Sequence, residues 1–179
     1  MRDFSTQEAR NRSQVELRPL TADVLEPYLV GLADPEIGRL TGTHVTFARA
    51  EVERWLRTRA EQPDRLDWSV HRATDGEFVG EAVLNEIDLD SFSAGYRVWL
   101  LPEHWGRGYG TEVTRLVLEH AFGELGLHRV ELSVFAFNPR AQRAYEKAGF
   151  VLEGRRRDAL RWDGTWHDDL VMAALNPAH

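Results

Sequence analysis

The 179-residue sequence has no cysteine, which excludes disulfides, thiolate metal ligands and a cysteine nucleophile together. No stretch approaches the roughly 18 consecutive apolar residues that a membrane-spanning helix needs, so no membrane partner is expected. The histidines are dispersed: His44, His104, His120, His128 and His167 show neither His-x-x-x-His nor His-Glu-x-x-His spacing, and no metal site is expected. A basic excess is also missing. With 22 Lys and Arg against 29 Asp and Glu the net charge is -7, so nonspecific attraction to nucleic acid is not expected. An acidic surface favours cationic substrates weakly, and keeping the protein soluble explains the total equally well. The run Arg155-Arg156-Arg157 falls at the start of a strand in this acidic chain and reads as a solvated edge or a substrate-loop contact.

What is present is enough for one well-packed core, with 42% hydrophobic residues. Residues 1–14 are mostly polar without an apolar segment. They read as a frayed arm and not as a signal peptide, which fits a cytoplasmic address. No repeat, low-complexity tract or linker divides residues 15–174, so a single domain over residues 15–175 is expected.

The order of elements follows from pattern and punctuation. A short strand starts at Val15, and Thr21 offers an N-cap for a helix running toward Ala33, made irregular by Pro27. A second helix is predicted over residues 49–60, with Val52, Trp55, Leu56 and Arg59 on one side. Residues 68–71 and 78–87 form a hairpin turned by Asp75-Gly76, and residues 96–101 form a strand ended by Pro102. Residues 110–125 are helical, with Val113, Leu116, Val117 and Ala121 as the apolar stripe and Gly126 as the stop. A strand over 130–135, a helix over 139–148 and a strand starting at 150–152 follow, and Asp163-Gly164 turns a final hairpin returning through 170–174. The fold class is α/β, with a mixed, mostly antiparallel central sheet flanked by helices. Strand, helix and strand across residues 96–135 form a crossover that places a glycine-rich turn at the carboxyl end of a central strand.

That turn is Trp105-Gly106-Arg107-Gly108-Tyr109-Gly110-Thr111. Backbone N–H groups converging at a helix N-terminus bind anions, glycines let a pyrophosphate approach closely, and Arg107 can add a charge-assisted contact. No Gly-Lys-Ser/Thr follows and the acidic partner of a dinucleotide fingerprint is not evident, which makes ATP and NAD poor candidates. On this motif alone, a structural turn needing positive φ stands level with a phosphate cradle.

A second block separates the two readings. The turn resembles the Gln/Arg-x-x-Gly-x-Gly/Ala loop of the GNAT superfamily of N-acetyltransferases, with Trp105 in the first position and Gly108 and Gly110 in the small ones. The block from Asn138 to Phe150 resembles that family's Asn-x-x-Ser/Ala-x-x-x-Tyr-x-Lys-x-Gly-Phe, a longer and more specific match. The loop's surroundings resemble the branch acting on ribosomal-protein N-termini and polyamines.

The resemblance implies acetyl-CoA as cosubstrate and a primary amine as acceptor. It implies that Val98, Trp99 and Leu100 hold the pantetheine arm through their backbone, and that Trp105, Gly106, Arg107, Gly108, Tyr109, Gly110 and Thr111 form the pyrophosphate loop. Asn138 and Arg143 complete the cofactor contacts. Tyr145 is the implied general acid, giving its phenolic proton to the departing thiolate, while a strand N–H near residues 98–100 stabilises the oxyanion of direct transfer.

Besides Trp105 in place of Gln/Arg in the loop, the sequence departs from the family on the preceding strand. Relatives read Ala-Glu-Ile-Gly-Tyr-Trp-Leu before the loop, whereas this chain has Gly95 in place of the Glu. If that carboxylate acts as base, Glu81, Glu86, Asp88, His44 or a water chain must substitute. Holding a Lys amine neutral at pH 7 costs roughly 4 to 5 kcal/mol, against about 1 for an α-amine. The missing Glu therefore tilts the acceptor toward a peptide N-terminus or another low-pKa amine. The alternatives are a polyamine or aminoglycoside acetyltransferase, or a noncatalytic acetyl-CoA sensor. Trp162, Trp166 and Phe47 fit either an acceptor pocket or ordinary packing, and Asp158, Asp163, Asp168 and Asp169 fit either cation attraction or a solvated hairpin. A homodimer through the terminal hairpin or an edge strand is a further expectation.

Overall fold

The computed structural model describes residues 13–178. One seven-stranded sheet runs through them in the order β1-β2-β3-β4-β5-β7-β6. The strands are β1 (Val15–Pro19), β2 (Leu66–Arg72), β3 (Phe78–Asp88), β4 (Ser93–Leu100), β5 (Arg129–Phe135), β6 (Val151–Trp162) and β7 (Thr165–Leu175). The helices are α1 (Leu25–Ala33), α2 (Pro35–Thr41), α3 (Arg49–Thr58), α4 (Tyr109–Glu119) and α5 (Pro139–Ala148). Every strand pair is antiparallel except β4 with β5, whose parallel pairing requires the α4 crossover.

Turn chemistry builds much of this. Asp163 and Gly164 both adopt left-handed φ, +46° and +80°, joining Trp162 to its partner Thr165 in a two-residue hairpin. Asp75-Gly76 turns the β2–β3 hairpin, with Arg72 donating to Asp75 at 2.9 Å and Gly76 at φ +73°. Asn138 caps α5 by accepting from the Ala141 N–H at 3.1 Å, Pro139 occupies its first turn, and Gly149 ends it in left-handed conformation.

Several elements differ from the sequence expectation. The segment after Thr21 starts as a 3-10 turn (Ala22–Val24) before α1 proper. Pro27 then falls in the first turn of α1, where its missing N–H has no intrahelical partner to lose. α2 was not anticipated, although Asp34 caps it, Pro35 opens it and Gly42 closes it at φ +69°. α4 widens into a π-turn over His120–Glu124 before Gly126. β6 runs far beyond residue 152, as the outer strand, mostly exposed. Within the expected arm, residues 1–12 lie outside the described ones. Ser13 and Gln14 are held by Glu112, whose Oε1 accepts from Ser13 Oγ at 2.5 Å and from the Gln14 N–H at 2.7 Å.

Both sheet faces are covered. One core joins Val70, Ala82, Leu84, Tyr96, Val130, Leu132 and Met172 to Val113 and Val117 of α4, Ala121 of the π-turn that follows it and Tyr145 of α5. A second joins Tyr28, Ile37, Val52 and Leu56 of α1–α3 to Phe78 and Leu101, with Trp55 and Trp99 against it. The predicted stripes of α3 and α4 are therefore the buried ones, and Arg59 covers the Trp55 ring at 3.8 Å. Among the described residues no helix is long and apolar enough to cross a membrane.

Candidate active site

β4 and β5 pair at only three positions, Ser93 with Arg129, Ala94 with Val130 and Gly95 with Glu131. Beyond these the strands part, so the edge of residues 96–100 facing β5 has no ladder partner, while the other edge still pairs with β3 as far as Leu100. Unpaired strand groups need a partner. A cavity of about 610 Å³ opens into the gap.

The cavity wall gathers nearly all the predicted residues. Val98, Trp99, Leu100, Trp105, Gly106, Gly108, Tyr109, Gly110, Thr111, Asn138, Arg143 and Tyr145 line it. Arg107 is exposed and is not in the wall. Gly106 and Gly108 have φ of +75° and +86°, and a Cβ on either would meet no protein atom within 4 Å. The loop thus has left-handed backbone and open space above it, and Gly108 caps α4 with no side-chain bond to the first N–H groups. This fits a phosphate group, as do Arg140, Arg143 and Lys147 in the wall. Arg140 lies 3.8 Å over the Trp105 ring, and the Trp105 indole N–H donates to the Leu100 carbonyl at 2.8 Å, fixing the loop to the end of β4. Asn138 has its Oδ1 committed to the α5 cap, so only its amide nitrogen is available to a ligand.

Tyr145 points from α5 into the same space, with the Tyr96 and Phe150 rings 6.3 and 6.0 Å away. Its hydroxyl has no hydrogen-bond partner among the described residues, and burial pushes the phenol up to about 12. It is protonated throughout the neutral range.

None of the four side chains weighed as a base reaches the wall. Glu81 is buried and fully occupied: Oε1 accepts from the Tyr28 hydroxyl and Oε2 from the Trp99 indole, each at 2.8 Å. Burial raises its pKa, and those two hydrogen bonds oppose the rise. Glu86 sits at φ +52° where the β3–β4 register shifts, and Asp88 caps the N–H groups of Asp90 and Ser91. His44 stacks on Trp162 at 4.4 Å on the exterior. At Gly95, a Cβ would lie 3.2 Å from Asn85 Oδ1, so the Asn85 amide holds the space beside this position.

Trp162, Trp166 and Phe47 are not in the wall. Sequence reasoning underrated the far end of the cavity, built from Ser133 of β5, Arg156 and Ala159 of β6 and Asp169 of β7. Asp168 fits the solvated hairpin, accepting from the Asp158 N–H at 3.0 Å. Asp169 does not, being 1% exposed. The signal for it was a charged residue directly preceding the apolar run 170–174. Among the described residues no group of three or more His, Asp or Glu is placed to hold a metal.

A glycine cradle at a helix N-terminus, a parted strand edge and a buried phenol face one cavity. Residues 14–151 match the acetyltransferase (GNAT) domain family. The chain belongs to that family. It is 36% identical over 120 residues to the probable N-acetyltransferase YjcK of Bacillus subtilis, a match covering 66% of each chain. It is 34% identical over 101 residues to the putative ribosomal N-acetyltransferase YdaF of the same organism, covering 56% of this chain and 55% of that one. The crystal structure of spermidine N-acetyltransferase from Vibrio cholerae in complex with CoA and spermine superposes with a TM-score of 0.86 at 26% identity, over 92% of this chain and 97% of that one. The expected fold class and the expected activity class, acetyl-CoA-dependent N-acetyltransfer, are those of the family.

Proposed function

We propose that this protein transfers acetyl from acetyl-CoA directly to a peptide N-terminal α-amine. The observation that carries the choice of acceptor is the charge of the cavity wall. Among the described residues Arg97, Arg140, Arg143, Lys147 and Arg156 supply five cations, and Asp169 is the one carboxylate. A polyamine brings several ammonium groups along its length, and this wall offers a single anionic position for them. An α-amine brings one charge, and neutralising it at pH 7 costs only about 1 kcal/mol. That suits a site where Glu81 is occupied and Gly95 carries no carboxylate.

In this reading the cradle of residues 106–111 and the cations Arg140, Arg143 and Lys147 hold the phosphates, and the free edge of residues 98–100 holds the pantetheine arm. An N–H of that edge stabilises the oxyanion as the amine attacks, and Tyr145 gives its proton to the departing thiolate. Tyr96, Trp99 and Phe135 exclude water around the reacting groups. A cytoplasmic location, a single domain over residues 15–175 and self-association along the exposed outer strand β6 belong to the same proposal.

A second reading, a polyamine acceptor, is favoured by the likeness to the spermidine N-acetyltransferase of V. cholerae. Thiol release from acetyl-CoA over N-terminal peptides, lysine peptides, spermidine and aminoglycosides separates the two. Saturation by an N-terminal peptide at lower concentration than spermidine supports the first, and the reverse order establishes the second. CoA binding with no turnover of any acceptor replaces both with a sensor.

A further inference from the structure

We infer that Asp169 is the residue that captures the acceptor's ammonium group, through its Oδ1 atom. Three observations converge on that residue, one of them on the atom itself. Asp169 is 1% exposed, so its carboxylate is withdrawn from bulk water. Oδ1 is buried and has no hydrogen-bond partner among the described residues, whereas Oδ2 accepts from Arg156 Nε at 3.0 Å and also from Arg156 Nη2. And the residue lies in the cavity wall, where it is the one carboxylate.

An unsatisfied oxygen of a buried carboxylate is costly, because the group has left water without replacing its hydrogen bonds. Folded chains keep few such atoms, and those they keep call for a functional reason. Arg156 cannot serve as that partner: both of its contacts fall on Oδ2, and the same Nη2 also donates to Ser133 Oγ at 3.0 Å. This three-residue clamp fixes the plane of the carboxylate and leaves Oδ1 as an oriented acceptor. A cationic N–H donor fits it in charge and in hydrogen-bonding sense.

The topology puts Asp169 at the right end of the cavity. Asp169 is paired with Phe135, the last residue of β5, and with Arg156 of β6. It therefore stands on the β5 side of the gap, where β5 has already separated from β4. The cations Arg140, Arg143 and Lys147 belong to α5, as does Tyr145. Phosphates drawn to α5 and its neighbouring loop leave the β5–β7 side for the acceptor. An N-acylated peptide has no ammonium to offer and is refused by the same atom.

This inference rests on the acetyl-transfer reading only for the identity of the amine as substrate, so binding and turnover are read separately. The full chain saturated with CoA is titrated with a seryl-alanyl peptide amide, with spermidine and with the N-formyl form of the peptide, by calorimetry and by thermal shift. Asp169→Asn and the double variant Asp169→Asn/Arg156→Gln are treated alike. The double variant removes both charges of the pair, so no orphan cation is left to destabilise the fold. A free amine binds the wild type, the N-formyl peptide does not, and both variants bind the amine about 10- to 100-fold more weakly with CoA affinity unchanged. The double variant regains the Tm lost by the single one without regaining the amine. Unchanged amine affinity in both variants overturns the inference. So does recovery of amine binding together with Tm, loss of CoA binding in step with amine binding, or no amine binding by the wild type. Asp169-dependent amine binding with no thiol release from acetyl-CoA sustains the inference and sinks the transferase reading alone.

Discussion

Gly108→Ala separates the cost of the cofactor loop to folding from its value in binding. Gly108 sits at φ +86°, ψ −7°, and an L-residue there costs about 1–2 kcal/mol of backbone strain. Lower unfolded-state entropy returns roughly 0.4–1 kcal/mol of this. A Cβ at Gly108 meets no protein atom within 4 Å, so no steric term is added in the free protein. The net loss is about 1 kcal/mol, a fall in Tm of roughly 2–4 °C for a chain of this size. Gly126 supplies the control: it has φ +66°, its Cβ also meets nothing within 4 Å, and it lies outside the cavity wall. Both alanine variants therefore melt slightly below the wild type by circular dichroism. Only Gly108→Ala places its methyl group where a pyrophosphate approaches the backbone. Its Kd for CoA, measured by calorimetry, rises about 10-fold or more, equivalent to at least about 1.4 kcal/mol. Gly126→Ala binds CoA as the wild type does. A Gly108→Ala protein that melts like Gly126→Ala and still binds CoA normally refutes the cradle.

Tyr145→Phe lowers kcat by about 10²–10⁴-fold while CoA affinity and Tm stay put, since the hydroxyl has no partner among the described residues to lose; retained kcat in stopped-flow thiol release rules out its acid role. The pH–rate profile follows from burial raising Tyr145 to about 12. The acid remains protonated below that value, so activity rises as the acceptor amine deprotonates, near 8 for an α-amine, then stays level, and a decline setting in near pH 10 contradicts the buried phenol. Glu81 has a folded pKa above its unfolded one. Its stabilising contribution is complete below the unfolded value, about 4.3, and is lost as pH rises through the folded one. Urea unfolding therefore shows the wild type losing stability relative to Glu81→Gln as pH rises above about 4, and parallel pH curves refute the assignment.

The elements that sequence reading locates well are those whose signals are local. Asn138, Pro139 and Gly149 punctuate α5 within a dozen residues, and Asp163-Gly164 dictates its hairpin by backbone conformation alone. α2 carries comparable caps in Asp34, Pro35 and Gly42, but seven residues around Gly38 give too little apolar periodicity to announce a helix. β6 is long and mostly exposed, so no alternation of apolar and polar residues marks its extent. Glu81 looks available in sequence and is not, because Tyr28 and Trp99, 53 and 18 residues away, occupy both its oxygens.

The same division runs through the active site. In the proposed reading the glycine cradle of residues 106–111 comes from contiguous chain, because backbone N–H groups, glycine conformations and a helix N-terminus can all be supplied by one turn, and α5 adds its cations to it. The acceptor half of the site cannot be built that way. A carboxylate held rigid away from water needs a cation and a hydroxyl brought to it from neighbouring strands. Ser133, Arg156 and Asp169 meet only because β7 inserts between β5 and β6 in the sheet. The two halves therefore respond to different substitutions. If these assignments hold, a change at Asp169 is expected to alter which amine is held without touching the residues 106–111 loop, and a change in the loop to alter cofactor affinity without moving Asp169. One fold can thus keep its cofactor fixed while its acceptor changes with one or two residues on β6 and β7.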